Sequence, residues 1–397
     1  MFSAMQKDGE IFCLFPRHSR KVLQEKRKSE EFYCPECKEK VVMKLGMQRI
    51  EHFSHQKGSS CTESYERESN YHINGKLQLY QWLETQKLSP VLEPYYPSIR
   101  QRPDVGFTDH LKSYALEFQC SAIPLELMEK RTKQYRKIQA TVLWILGGKH
   151  IKQKGERKVA LTNFDYYFLS KNSTGSWYLP AYCPASKIFI ILHNLIPIST
   201  KNAFAHLSII PLHQFTLERL FAKTSQLPFN STEWKREIQY QKLNIQMRGF
   251  RQHHLLLKEL YLSGLNITLL PPFIGFPVPN AVLVESAPLI WQTYFFIDQL
   301  LKRKAGDIIT INDIFQGYVK RLERGSLKER SLPLAPNCSH LVPFIEYLEV
   351  LEKVQVIERV NTNTFRIKQV TEIPQHMGRQ QILEDEFYHQ YEDILFL

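Results

Sequence analysis

Cysteine is scarce and odd in number, seven in 397 residues. That excludes a disulfide framework and points to a reducing, cytoplasmic setting. An N-terminal apolar run is missing as well: Lys7, Asp8 and Glu10 stand where an export signal needs one. Long hydrophobic runs are absent elsewhere. The most apolar stretch, 265–284, is interrupted by Pro271, Pro272, Pro277 and Pro279 and makes a poor membrane span. Acidic residues are in deficit, 40 against 52 Lys and Arg, for a net charge of +12, which suits a polyanionic partner. The deficit is local, since residues 129–158 hold ten Lys and Arg against two glutamates. A chain of this length, 43% hydrophobic, has material for two or three packed domains.

The chemistry concentrates around Arg102-Pro103-Asp104-Val105 and Glu117-Phe118-Gln119-Cys120-Ser121. The intervening Thr108 to Ser113 is turn-like, and both flanks favour strand, so the stretch reads as a β-hairpin. Period two puts Glu117 and Gln119 on one face and Phe118 in a core. Asp104 and Glu117 would then face a common cleft able to hold a hard cation such as Mg2+, which activates water and polarises a phosphoryl oxygen. The structural alternative is an ordinary charged hairpin.

Pro103-Asp104 followed by Glu117-x-Gln119 resembles the PD-(D/E)XK nuclease superfamily, with glutamine where that pattern has lysine. "RPDV", "ALEFQCS" and "LWILGG" together resemble the competence protein CoiA family, bacterial proteins implied in genetic transformation. The resemblance implies a restriction-endonuclease-like (PD-(D/E)XK) α/β core with catalytic residues Asp104, Glu117 and Gln119. A helical glutamate before the hairpin often completes such sites, which makes Glu68 the candidate. Glu68, His72 and Lys76 recur every fourth residue along one polar stripe of a helix read over 63–85, and a surface salt bridge is the plainer role for Glu68. Gln119 can orient water or a phosphate oxygen but cannot supply lysine's charge.

After Pro124, residues 125–138 read as a helix with Arg131 and Tyr135 one turn apart, resembling the accessory Gln-x3-Tyr helix of RecB-type nucleases. With Lys133, Arg136 and Lys137 they form the candidate DNA contacts; a basic solvent face is the alternative. The apolar run Thr141 to Leu146 reads as a strand buried on both faces.

Upstream, Cys34-x2-Cys37 is followed after fourteen residues by His52-Phe53-Ser54-His55. The ligand types and number suit tetrahedral Zn2+, with Cys61 a rival fourth ligand. A redox or incidental pair, or a degenerate module in which His52 and His55 only support the fold, are the alternatives. The expected organisation is a zinc-finger-like module at 1–61, the nuclease-like core at 62–150 and a β-rich extension at 151–215. A mainly helical region at 216–397 follows, with 270–280 read as a linker. In the extension Tyr166 to Leu169, Trp177 to Leu179 and Lys187 to Ile191 read as strands whose aromatics either stack on bases or fill a core. Helices at 290–304, 311–322 and 343–353 followed by a hairpin over 354–367 suggest a winged-helix-like unit. The acidic tail after Arg379 reads as a fraying end or a mask for the basic face.

The resemblance implies action on incoming single-stranded DNA and promotion of its recombination, alongside recombination or DNA-uptake proteins. The competing expectation is a catalytically inactive nuclease-fold DNA-binding or recruitment factor. A protein-binding adaptor is the third.

Overall fold

The computed structural model describes residues 1–15, 18–46, 50–56, 58, 59, 61, 69–172, 174–221, 231–249, 251 and 253–395. They form two compact units. The first comprises 1–151, 179–191 and 208–221; the second comprises 152–178, 192–207 and the described residues from 231 onward.

The first unit opens with a small antiparallel sheet. Its strands are β1 (Ser3–Gln6), β2 (Ile11–Cys13), β3 (Phe32–Tyr33), β4 (Lys40–Lys44) and β5 (His52–His55), in the order β2-β1-β3-β4-β5. The helix α1 (Arg20–Ser29) crosses between β2 and β3, capped by the Ser19 side chain. Apolar residues at alternate positions, Val41, Met43 and Phe53, are buried along the sheet.

The core of this unit carries the expected hairpin. β7 (Val105–Asp109) and β8 (Lys112–Gln119) pair antiparallel, and the turn is tighter than the composition suggested: His110 takes a left-handed φ of 50°. β6 (Val91–Leu92) flanks β7, β9 (Thr141–Gly147) runs parallel to β8, and residues 181 and 182 pair parallel with the end of β9. The helix α2 (Asn70–Thr85) is capped by Ser69 and presses its Gly75 against the Phe118 ring. A side chain has no room there: an added Cβ would lie 2.0 Å from Phe118 Cε1. On the other side α3 (Leu125–Lys137) carries Thr132, whose hydroxyl accepts from Trp144 Nε1 of β9 at 3.1 Å. Alternation along β8 thus turns Phe118 toward α2 and Glu117 toward α3.

In the second unit, Tyr166 to Leu169 is not a strand. Thr162 and Asp165 form a reciprocal cap that starts a short helix, Asn163–Tyr166. Tyr166, Trp177 and Tyr178 are buried, which makes them core residues. Helices Pro288–Gln299, Ile311–Glu323 and Val342–Lys353 precede the hairpin Ile357–Asn361 and Thr364–Ile367, and Ile308–Thr310 adds a third antiparallel strand.

The proline-rich 270–280 segment is core and not a linker, with Leu270, Phe273, Ile274, Phe276 and Val278 all buried. Its prolines block regular structure, so side chains satisfy its backbone instead. Gln292 accepts from the amides of Gly275 and Phe276 and donates to Phe276 O, each at 2.7 Å. Trp234 Nε1 donates to Gly275 O, and the Tyr347 hydroxyl to Phe273 O. The acidic tail does not fray either. It forms the helix Met377–Leu395, in which Glu384 pairs with buried Lys242 at 2.8 Å and Asp385 with Lys235. No helix among the described residues is long and apolar enough to cross a membrane.

Candidate nucleic-acid site and metal centre

Asp104 ends the segment leading into β7, and α2 holds its side chain. Oδ2 accepts from the Phe118 amide at 2.9 Å and lies 3.2 Å from His72 Nε2, while Oδ1 lies 3.3 Å from Lys76 Nζ. Burial alone would raise this carboxyl. The charges on His72 and Lys76, with the hydrogen bonds from His72 and Phe118, instead hold it well below the usual carboxylate range. Lys76 is itself buried and donates to Glu93 Oε1 at 2.6 Å. Glu68, the expected helical carboxylate, lies outside the described residues.

Glu117 is held from α3. Its Oε1 accepts from Arg131 Nη2 and from the Tyr135 hydroxyl, both at 2.5 Å, and Arg131 Nε also donates to Gln101 Oε1 at 3.2 Å. Burial pushes the Glu117 carboxyl up to about 7, against the pull of Arg131 and with a further push from the negative charge of Asp104. The i, i+4 pair expected on α3 is therefore real, but it turns inward onto the glutamate. Gln119 follows on β8 and donates to Ser121 O at 2.9 Å.

A shared Mg2+ fits these residues poorly. Asp104 already has Lys76 and His72 of α2 against its oxygens, and Oε1 of Glu117 already accepts from a guanidinium and a hydroxyl of α3, so an ion bridging the two would compete with the chain's own groups. A hard divalent ion binds where carboxylate oxygens are left over for it. Among the described residues, the group of three or more side chains with metal-ligand geometry is the cysteine and histidine cluster below.

Lys133, Arg136 and Lys137 take the opposite face of α3 and are exposed, as is Lys130. Glu129 lies 3.4 Å from Lys133, a surface pair of small worth. The five residues read as one DNA-contacting set thus divide into an inward pair, half-buried Arg131 and buried Tyr135, that holds Glu117, and a solvent-facing cationic row.

In the N-terminal sheet, Cys34, Cys37, His55 and Cys61 bring their ligand atoms within 4.8 Å of one another. The Cys34 to Cys37 knuckle closes through Lys38, whose φ of 62° lets its amide reach Cys34 O at 3.0 Å. Cys37 Sγ and His55 Nε2 are 3.4 Å apart. His52 is not in the cluster, and its Nδ1 lies 2.9 Å from Ile50 O. The reason is strand geometry: His52 and His55, three apart on β5, point to opposite faces. Cys61, the rival ligand, takes the fourth place. Two thiols from a knuckle, a third thiol and an imidazole are a donor set that fits Zn2+. Burial pushes the Cys34 thiol up while the Cys37 and Glu36 amides draw it back, and burial holds His55 toward the neutral form that a metal ligand needs.

Glu93 and Gln101 went unread in the sequence. Glu93 lies beside β6 in a left-handed conformation, φ 52°, and the amides that its side chain accepts from, those of Phe2 and Ser3, are ninety or more residues away in the chain, beyond the reach of any local pattern.

A mixed α/β core with Asp104 and Glu117 on adjoining segments, joined to a cysteine and histidine cluster, matches a protein class described as nuclease-like. Residues 68–225 match the family model described as "Competence protein CoiA, nuclease-like domain". Residues 15–64 match the N-terminal domain model of that family, and 229–381 its C-terminal domain model. Competence protein CoiA of Bacillus subtilis (strain 168) is 32% identical over 283 residues, 69% of this chain and 73% of that protein. No solved structure matches. The chain belongs to the competence protein CoiA family.

Proposed function

We propose that this chain handles incoming single-stranded DNA in the cytoplasm during transformation and promotes its recombination, its nuclease-like core gripping the strand without cutting it. The observation that carries this reading is that the chain's own groups already engage both carboxylates: His72 and Lys76 lie on Asp104, and Arg131 and Tyr135 on Oε1 of Glu117. Gln119 agrees with it, since it stands where the PD-(D/E)XK pattern has lysine and carries no charge. The outward row Lys130, Lys133, Arg136 and Lys137 supplies phosphate contacts, and binding through it is salt-dependent.

In this reading residues 62–150 are a PD-(D/E)XK core with 151–215 as its β extension, and 1–61 form a zinc-binding leader. Within 216–397, the helices 288–299, 311–323 and 342–353 followed by a hairpin have the order of a winged helix, a unit able to dock DNA or a recombination or uptake protein. A second reading, Mg2+-dependent hydrolysis, is favoured by the electrostatic contact between Asp104 and Glu117, which raises the latter.

One experiment separates the two. Labelled single- and double-stranded DNA is incubated with Mg2+ or Mn2+ and wild type, an Asp104→Ala, Glu117→Ala variant, or a Lys133→Glu, Arg136→Glu variant, with binding scored in the same samples. The scaffold reading expects binding without cutting, lost chiefly on charge reversal. Metal-dependent cutting that disappears with the two carboxylates would overturn it in favour of hydrolysis.

A further inference from the structure

The first strand of the chain is tied to Asp104 through Glu93 and Lys76. The amides of Phe2 and Ser3 donate to Glu93 Oε2 at 2.7 and 3.2 Å, and Ser3 Oγ donates to Leu92 O at 3.0 Å. Glu93 Oε1 accepts from Lys76 Nζ at 2.6 Å, and that ammonium lies 3.3 Å from Asp104 Oδ1. The Glu93 amide donates to Asp104 O, so side chain and backbone converge on one residue. Lys76 and Glu93 are 1% and 4% exposed. A fully buried ion pair gains little net stability over apolar residues of the same shape, whereas it fixes geometry closely.

The other end of this chain of contacts is the cysteine cluster. β1 pairs with β3, which runs directly into Cys34, and Met1 exchanges backbone hydrogen bonds with Phe53, two residues from His55. A second link lies alongside. Arg102, two residues before Asp104, sets its Nε 3.5 Å from Glu36, inside the Cys34 to Cys37 knuckle, and its Nη1 2.7 Å from Met1 Sδ.

We infer that the N-terminal module is a positioning part of the nuclease-like site: metal held by Cys34, Cys37, His55 and Cys61 sets the placement of Asp104 through β1, Glu93 and Lys76 and through Glu36 and Arg102. Lys76, Glu93 and Arg102 are positioning residues that act on Asp104. The inference rests on reading the cluster as a zinc centre, and it requires no cleavage activity.

The reporter is His72, whose imidazole touches Asp104. Full-length protein labelled with 15N-histidine is compared before and after chelation, with released zinc quantified, and with His340 of the second unit as reference. Loss of zinc should shift the His72 ring signals and leave those of His340 in place. In Glu93→Gln and, independently, Arg102→Met, zinc content should stay at the wild-type level while the His72 response shrinks. Because Arg102 is not part of the buried pair, its variant keeps the test decisive if Glu93→Gln fails to fold. Stationary His72 signals on full zinc release would overturn the coupling. An undiminished response in the folded variants, or a shift of every histidine together, would do the same. Absence of zinc from the purified wild type would instead sink the metal reading, and this inference with it.

Discussion

Glu117 is where pH should act on this protein. Its carboxyl moves from an ordinary 4.5 to about 7 because burial disfavours the charge, with Asp104 adding to the rise. At ~1.4 kcal/mol per pH unit, that displacement amounts to about 3 kcal/mol. Between those two pH values the folded chain keeps a proton that the unfolded chain has released, so this contribution makes stability fall as pH rises and then level off above about 7. Glu117→Gln cannot titrate. Its stability relative to wild type should therefore rise by about 2 to 3 kcal/mol from about pH 5 to about pH 8, whatever constant offset the lost Arg131 pair adds. With two units in the chain, a single unfolding midpoint would blur the comparison. Native-state hydrogen exchange at the β8 amides Leu116 to Phe118 reports the local opening free energy instead. A wild-type-to-variant difference that stays flat across this pH range would refute the argument and mean that Arg131 and Tyr135 keep Glu117 ionised throughout.

Zinc content should collapse in Cys61→Ser and persist in His52→Ala, measured by metal analysis of the purified proteins; the reverse pattern would restore His52 as the ligand. Neutralising Lys133 and Arg136 together should weaken single-stranded DNA binding and lower the log-log salt slope by about 1.4, the release expected for two phosphate contacts. Binding titrations across a salt series check it, and an unchanged slope would exclude this face. Gly75→Ala drives a methyl into the Phe118 ring and should destabilise the β8 region by about 1–3 kcal/mol, read by the same amide exchange. Unaltered protection there would mean that the ring yields without cost.

What was legible in the sequence was local. The β7 and β8 hairpin and α3 announce themselves through alternation and through spacing of three and four, and both elements form where the pattern puts them. The division of α3 into an inward pair and an outward row was not legible, because composition reports charge and not the direction a side chain takes. Proline misled for a related reason: it forbids helix and central strand but says nothing about burial, so 270–280 reads as a linker and folds as core. The ligand exchange of Cys61 for His52 follows from strand parity, visible only once β5 is known to be a strand. Glu93 could not be found from its surroundings in the sequence, since its role is defined by Phe2, Ser3 and Lys76.

The proline-rich core segment also sets an order of events during synthesis. The amides of Gly275 and Phe276 have to wait for Gln292, seventeen residues later for the first of them, which is ~1–3 s of elongation. Leu270 O accepts from Gln380, 110 residues downstream, and so waits ~6–20 s. A nascent chain stalled between those points carries Phe276 without its ring partners Phe387 and Tyr388 of the final helix, an attractive target for chaperones. Truncations ending before the final helix should consequently be recovered in chaperone-bound or aggregated form, even when they retain every residue of the unit that carries Asp104 and Glu117.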